Sequence, residues 1–141
     1  NPATEQSSDQ ADRPVRLTDD PRACRARVRT ELHQLLKNLS PKDFEAAAAH
    51  IRGTSEHPAD AERLESMLTP YFEEYEKLAF NHDARLPIHT RINEVNRDLW
   101  QATQVLLDPN DDNFWVIEVD IPIVDDFNEQ EPVLVVRDIH D

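Results

Sequence analysis

The sequence predicts an α+β fold in which helices pack on one face of an antiparallel sheet, and three observations carry that expectation. Apolar residues recur at spacings of three and four through the first half of the chain. After Pro87 the period falls to two. Helical and strand-like segments are segregated in order, not interleaved, which excludes a parallel doubly wound sheet. With 141 residues there is material for one core, and no repeat of about 20 to 50 residues divides it.

The opening stretch is rich in Ser, Asp, Gln and Pro and has little to bury, so residues 1–18 are expected to be a flexible tail or linker to a single domain at 19–141. Asp19 or Asp20 before Pro21 marks a helix start, where an Asx oxygen accepts orphan N–H groups and proline's fixed φ suits the first position. Cys24, Val28, Leu32, Leu35, Leu36 and Leu39 then form an amphipathic stripe. Ser40 is expected to cap a second helix, with Pro41 in its first turn and Asp43 near its positive end. That helix covers Phe44 to Ile51 and is expected to end at Gly53 in the left-handed conformation. Pro58 opens a third helical stretch with Leu64, Met67 and Leu68, and Thr69-Pro70 is expected to cap and restart it before Tyr71, Phe72, Tyr75, Leu78 and Phe80.

About four strands follow. Ile88, Thr90 and Ile92 alternate with polar neighbours, and Asn96-Arg97-Asp98 supplies a turn. Leu99 to Leu107 reads as a strand, and Pro109-Asn110-Asp111-Asp112 as a turn built from Asx chemistry in place of glycine. Trp115, Ile117, Val119, Ile121 and Ile123 occupy every second position of the clearest strand. An acidic loop from Asp125 to Glu131 leads to a last strand over Val133 to Ile139.

Composition removes several functions. The formal charge is −14, so a phosphate backbone or an anionic membrane repels the chain as a whole, and no direct nucleic-acid binding is expected. The charge is uneven: residues 17–53 hold 7 basic and 5 acidic side chains, whereas residues 88–141 hold 3 and 13. Gly53 is the one glycine, which excludes the phosphate-cradling loops that need several. The lone Cys24 excludes an internal disulfide and a thiolate zinc cluster, and no apolar run is long enough for a membrane span. A soluble, cytoplasmic, non-catalytic chain is the expectation, with no cofactor or metal of its own.

Two resemblances extend this reading. The order of an amphipathic helix, the break with Ser40-Pro41-Lys42-Asp43-Phe44-Glu45 and its alanines, an aromatic helix and then long hairpins resembles the cystatin-like half-cone of the nuclear-transport-factor-two and ketosteroid-isomerase superfamily. More specifically, Leu99-Trp100-Gln101-Ala102-Thr103-Gln104-Val105-Leu106-Leu107-Asp108-Pro109 and Asp112-Asn113-Phe114-Trp115-Val116-Ile117-Glu118 resemble the C-terminal domain of unknown function that follows the motor in a group of bacterial DEAD/DEAH-box superfamily-two helicases. Ala26 to His33 and Asp43 to Ala47 fit the same pattern, while Asp125 to Glu131 departs from it. This resemblance implies an accessory module cut from a longer chain, whose partner is the motor in cis or another protein. ATP and magnesium would belong to that motor.

The candidate site residues follow. Trp100 and Trp115, with Tyr71 and Tyr75, either line a ligand pocket or plug the interface of helices and sheet. An isomerase-like reading needs Glu118 or Asp120 inside the cone beside Tyr71 or Tyr75, yet alternation puts both carboxylates on the face opposite Trp115 and Ile117, in solvent. Arg22, Arg25 and Arg29 share one side of the first helix, with Arg27 off it, and either dock an acidic partner, touch RNA phosphates delivered by the motor, or form a solvated face. The six histidines, at 33, 50, 57, 82, 89 and 140, show no ligand spacing on a helix and are expected at the surface. Cys24 lies on the apolar stripe and is expected to be buried and inert. Two other readings remain open: a free-standing cone that binds or isomerises a small apolar ligand, and a homodimer formed through an exposed apolar sheet face.

Overall fold

The computed structural model describes residues 20–123 and 131–141, so the expected tail and most of the acidic loop lie outside the described residues. Among the described residues, three helices, α1 (Pro21–Leu39), α2 (Phe44–Ala49) and α3 (Ala61–Glu74), precede two 3₁₀ turns, Asp83–Arg85 and Pro87–His89. Four strands follow: β1 (Thr90–Glu94), β2 (Leu99–Val105), β3 (Val116–Pro122) and β4 (Val135–His140). They form one open antiparallel sheet in sequential order, and the helices cover one face of it. The fold is α+β with helices packed on a curved sheet, as the segregation of periods predicts.

The helix boundaries correct several expected ones. Asp20 caps α1, its carboxylate accepting the Ala23 N–H at 3.2 Å. Ser40 ends α1 and does not begin α2: its N–H donates to Leu36 O and its hydroxyl to Leu78 O at 2.8 Å. The turn is completed by Lys42 at φ 63, and Asp43 is the true cap, accepting from Ala46 N. Gly53 is not left-handed; its absent side chain permits close approach, because a Cβ there would lie 2.9 Å from Ala59 N. The third helix starts at the Asp60 cap and runs through Pro70 to Glu74 without the expected restart. The exposed Thr69 hydroxyl donates to Glu65 O there, and Tyr75 closes the helix with its N–H on Tyr71 O.

In the sheet, Ile88 sits in a 3₁₀ turn and is 84% exposed, so the first strand begins two residues later than the alternation suggests. The Pro109–Asp112 turn uses Asx chemistry as expected. Asp111 and Asn113 take positive φ, and the buried Asp108 carboxylate accepts the N–H groups of Asn110, Asp112 and Asn113 at 2.9–3.1 Å. Burial alone raises the Asp108 pKa, but these backbone donors outweigh it and hold it below the ordinary value.

The last strand breaks the period of two. Between β3 and β4 the register shifts at Glu118/Val119, so Arg137 has no opposite residue. This bulge turns Arg137 outward beside Asp138 and His140, while Val136 and Ile139 stay buried. One core joins the stripe of α1, Leu64, Leu68 and Tyr71 of α3 and the inward residues of β2 to β4. Cys24 belongs to it as expected: it is fully buried, and burial pushes its thiol up to about 11.

Candidate functional site

The four aromatic pocket candidates lie in the interior, three of them together. Tyr71, Tyr75 and Trp115 pack together, with ring centroids 5.3 Å apart for the tyrosines and 5.9 Å for Tyr71 and Trp115. Their polar atoms are engaged locally: Tyr71 OH with Lys77 O and Tyr75 OH with Asp112, both at 2.7 Å, and the Trp115 indole N–H with Glu74 at 2.9 Å. Both tyrosine pKa values are raised, that of Tyr71 chiefly by burial and that of Tyr75 chiefly by the Asp112 bond. Trp100 lies toward the other end of β3, paired with Ile121 and covered by the Arg25 guanidinium at 5.7 Å. All four are buried, with 0–6% exposure, and fill the space between helices and sheet. Glu118 and Asp120 lie on the opposite face from these tyrosines, so the isomerase-like arrangement does not form.

Two charged surfaces remain. The first is the flank of α1. Of the three arginines expected there, Arg22 is exposed, while Arg25 is neutralised by Glu94 at the end of β1. Arg27 points elsewhere, to Glu31 and the Glu131 carbonyl. Arg29 is half-buried, and its Nε has no hydrogen-bond partner among the described residues. His33, one turn further, is half-buried with Nε2 equally unpartnered. Arg85 joins them from the first 3₁₀ turn, its guanidinium over the Phe80 ring at 5.6 Å and its Nε on Asn81 O. The His33 pKa is lowered, first by burial and then by the positive charges of Arg85 and Arg29. The flank is therefore a cluster of basic side chains in which no ion pair among the described residues answers Arg29 or Arg85. Helical spacing from Arg29 could have found His33; Arg85, from a distant turn, carries no sequence signal.

The second surface is the outer face of the sheet, where the residues expected in solvent are half-buried and paired. Arg137 Nε donates to Asp120 at 3.1 Å and its terminal nitrogen reaches Glu118 at 3.4 Å. Gln101 donates to the same Asp120 oxygen at 3.0 Å. His140 Nε2 lies 2.7 Å from Glu118 Oε2, and its Nδ1 lies 3.0 Å from the Asp141 carbonyl. The Asp141 carbonyl and then Glu118 raise the His140 pKa, and the His140 bond is the main cause of a lowered Glu118 value. A cavity of about 320 Å³ beside this network is lined by Arg91, Asn93, Gln101, Thr103, Glu118 and Arg137 among others. This face is charged, so the apolar sheet face expected to invite a dimer is not what these strands present. Among the described residues, no helix is long and apolar enough to cross a membrane.

No curated protein and no solved structure matches the chain. One family does, over nearly its whole length: with residues 1–139 matched, the chain belongs to the family described as domain of unknown function (DUF3516).

Proposed function

We propose that the chain is a non-catalytic interaction module, carried in its parent protein behind a DEAD/DEAH-box helicase motor, and that it docks on an acidic surface of that motor through the flank of α1. The observation that carries this reading is the cluster of Arg29, His33 and Arg85, which no ion pair among the described residues offsets, in a chain of net charge −14. Bringing like charges together on a half-buried surface costs free energy in the isolated chain, and an opposing anionic surface recovers it. A protein carboxylate surface fits better than nucleic acid, because the remaining acidic surface repels a polyanion longer than the patch.

The helix arrangement supports a half-cone of the cystatin-like kind, and the filled interior favours docking over ligand capture. In this reading the module works in the bacterial cytoplasm, and ATP hydrolysis with its magnesium belongs to the motor.

The test begins with the reading frame upstream of Asn1, where helicase motor motifs are expected. The chain is then co-expressed with that polypeptide and pulled down in rising salt. Binding should weaken steeply once the screening length falls below about 8 Å, near 0.15 M, and should be lost in the double variant Arg29→Glu, Arg85→Glu. An upstream frame without motor motifs, binding indifferent to both salt and charge reversal, or micromolar RNA binding by the chain alone in physiological salt would each overturn the reading.

A further inference from the structure

We propose a divalent metal site on the outer face of the sheet, built by Glu118, Asp138 and His140 and suited to zinc over magnesium or calcium. One ligand atom from each residue lies within 4.8 Å of the other two. Tetrahedral zinc holds nitrogen and oxygen ligands at about 2.0–2.2 Å, which puts neighbouring donors about 3.4 Å apart. The Nε2–Oε2 pair, at 2.7 Å, therefore has to open and the wider pairs to close, by about 1 Å or little more, and the exposed Asp138 has the rotamer freedom to follow.

Three further features point to a cation. Glu118 and Asp138 are direct cross-strand partners, an arrangement in which two negative charges face each other and destabilise a sheet. The β4 bulge, by turning Arg137 outward, brings Asp138 and His140 to the same face as Glu118. The third feature is the orientation of the imidazole. Its Nδ1 must carry a proton to donate to the Asp141 carbonyl, which aims Nε2 at Glu118 Oε2. A ligating histidine is typically held in this way, with the second nitrogen fixed by a carbonyl. Arg137 engages the other Glu118 oxygen, Oε1, and so orients the carboxylate without occupying the atom that faces the site.

On binding, the ion takes the place of the Nε2 proton and bridges the imidazole to the two carboxylates. One nitrogen and two oxygens suit zinc or a neighbouring transition metal, whereas magnesium and calcium prefer all-oxygen sets. No residue of the basic α1 flank takes part, so this site stands or falls independently of the docking reading.

The experiment is calorimetric titration of the whole chain with Zn²⁺, Mg²⁺ and Ca²⁺, with Co²⁺ absorption to report coordination. One zinc per chain is expected, with no measurable magnesium or calcium binding and a Co²⁺ spectrum of low coordination number. His140→Ala and Glu118→Gln should each weaken zinc binding at least about tenfold, with folding checked by circular dichroism, while His82→Ala, at an exposed histidine elsewhere, should leave it unchanged. Absence of zinc binding, binding that survives both ligand variants, or equal loss on His82→Ala would overturn the proposal.

Discussion

The flank of α1 and the outer face of the sheet are both charged and both half-buried, yet they treat their charges in opposite ways. On the sheet, Arg137 is shared between Glu118 and Asp120, and His140 meets Glu118, so cations and carboxylates alternate. On the helix flank, Arg29, His33 and Arg85 stand together, and no ion pair among the described residues offsets them. The two histidines register the contrast, since the His140 pKa is raised by its neighbours and the His33 pKa is lowered by its own. A surface whose arginine and histidine are both paired holds its shape. An unpaired one keeps a field to offer a partner, at a cost in the free chain.

The largest expected effect abolishes the contrast by removing the interior on which both surfaces rest. Trp115→Ala deletes a side chain that touches Tyr71 and anchors to Glu74, and should cost about 3–5 kcal/mol in denaturant unfolding. A value under about 1 kcal/mol would mean that this end of the core is not close-packed.

Next comes a change confined to the paired surface. Arg137→Ala leaves Glu118 and Asp120 without their common partner and should destabilise by about 1–2 kcal/mol, reduced from a buried pair because the side chain is about a third exposed. The matching change on the flank, Arg29→Met, should lie within about 0.5 kcal/mol of zero or be stabilising, since it removes a repulsion. Equal losses at the two sites would erase the distinction between them.

The pH dependence sharpens it further. The His140 value is raised in the folded chain, so its contribution to stability is present below its ordinary value of 6.5 and is lost as pH rises through the folded value. The lowered His33 value works the other way: its contribution is present above 6.5 and is lost as pH falls through the folded value. Histidine ring resonances followed by NMR should give midpoints on opposite sides of 6.5. Two midpoints on the same side would contradict the account of their surroundings. In the same spectra, Arg29→Met should move the His33 midpoint upward and leave that of His140 in place, the smallest of the expected changes.

Much of the architecture was legible because it depends on local rules. The α1 stripe from Cys24 to Leu39 is buried throughout, the alternation from Ile117 to Ile123 marks the inward face of β3 and the residue that follows it, and Asp108 to Asn113 form a turn from Asx chemistry without glycine. What the sequence hid depends on distant packing. Ser40 looks like a helix start, but its hydroxyl is drawn to Leu78. Pro70 looks like a restart, but apolar packing by Leu68 and Tyr71 on either side carries α3 through it. Gly53 suggests a left-handed cap, whereas the need is space beside Ala59. The bulge at Arg137 was illegible for a similar reason. A strict period of two assigns Arg137 inward with Val135 and Ile139, and the pairing with β3 alone reveals the shift. The charged sites suffered most, because Arg85 reaches the α1 flank and His140 reaches Glu118 only through the fold.

The central claim is that the unpaired charge of the α1 flank is the docking surface of this module. Hydrogen exchange, compared between the chain alone and the chain with the proposed helicase motor, tests that claim most directly. The account predicts slowed exchange along α1 from Arg22 to His33 and in the turn that carries Arg85, with β3 and β4 little changed. Protection confined to the outer face of the sheet, or none on α1, would contradict it.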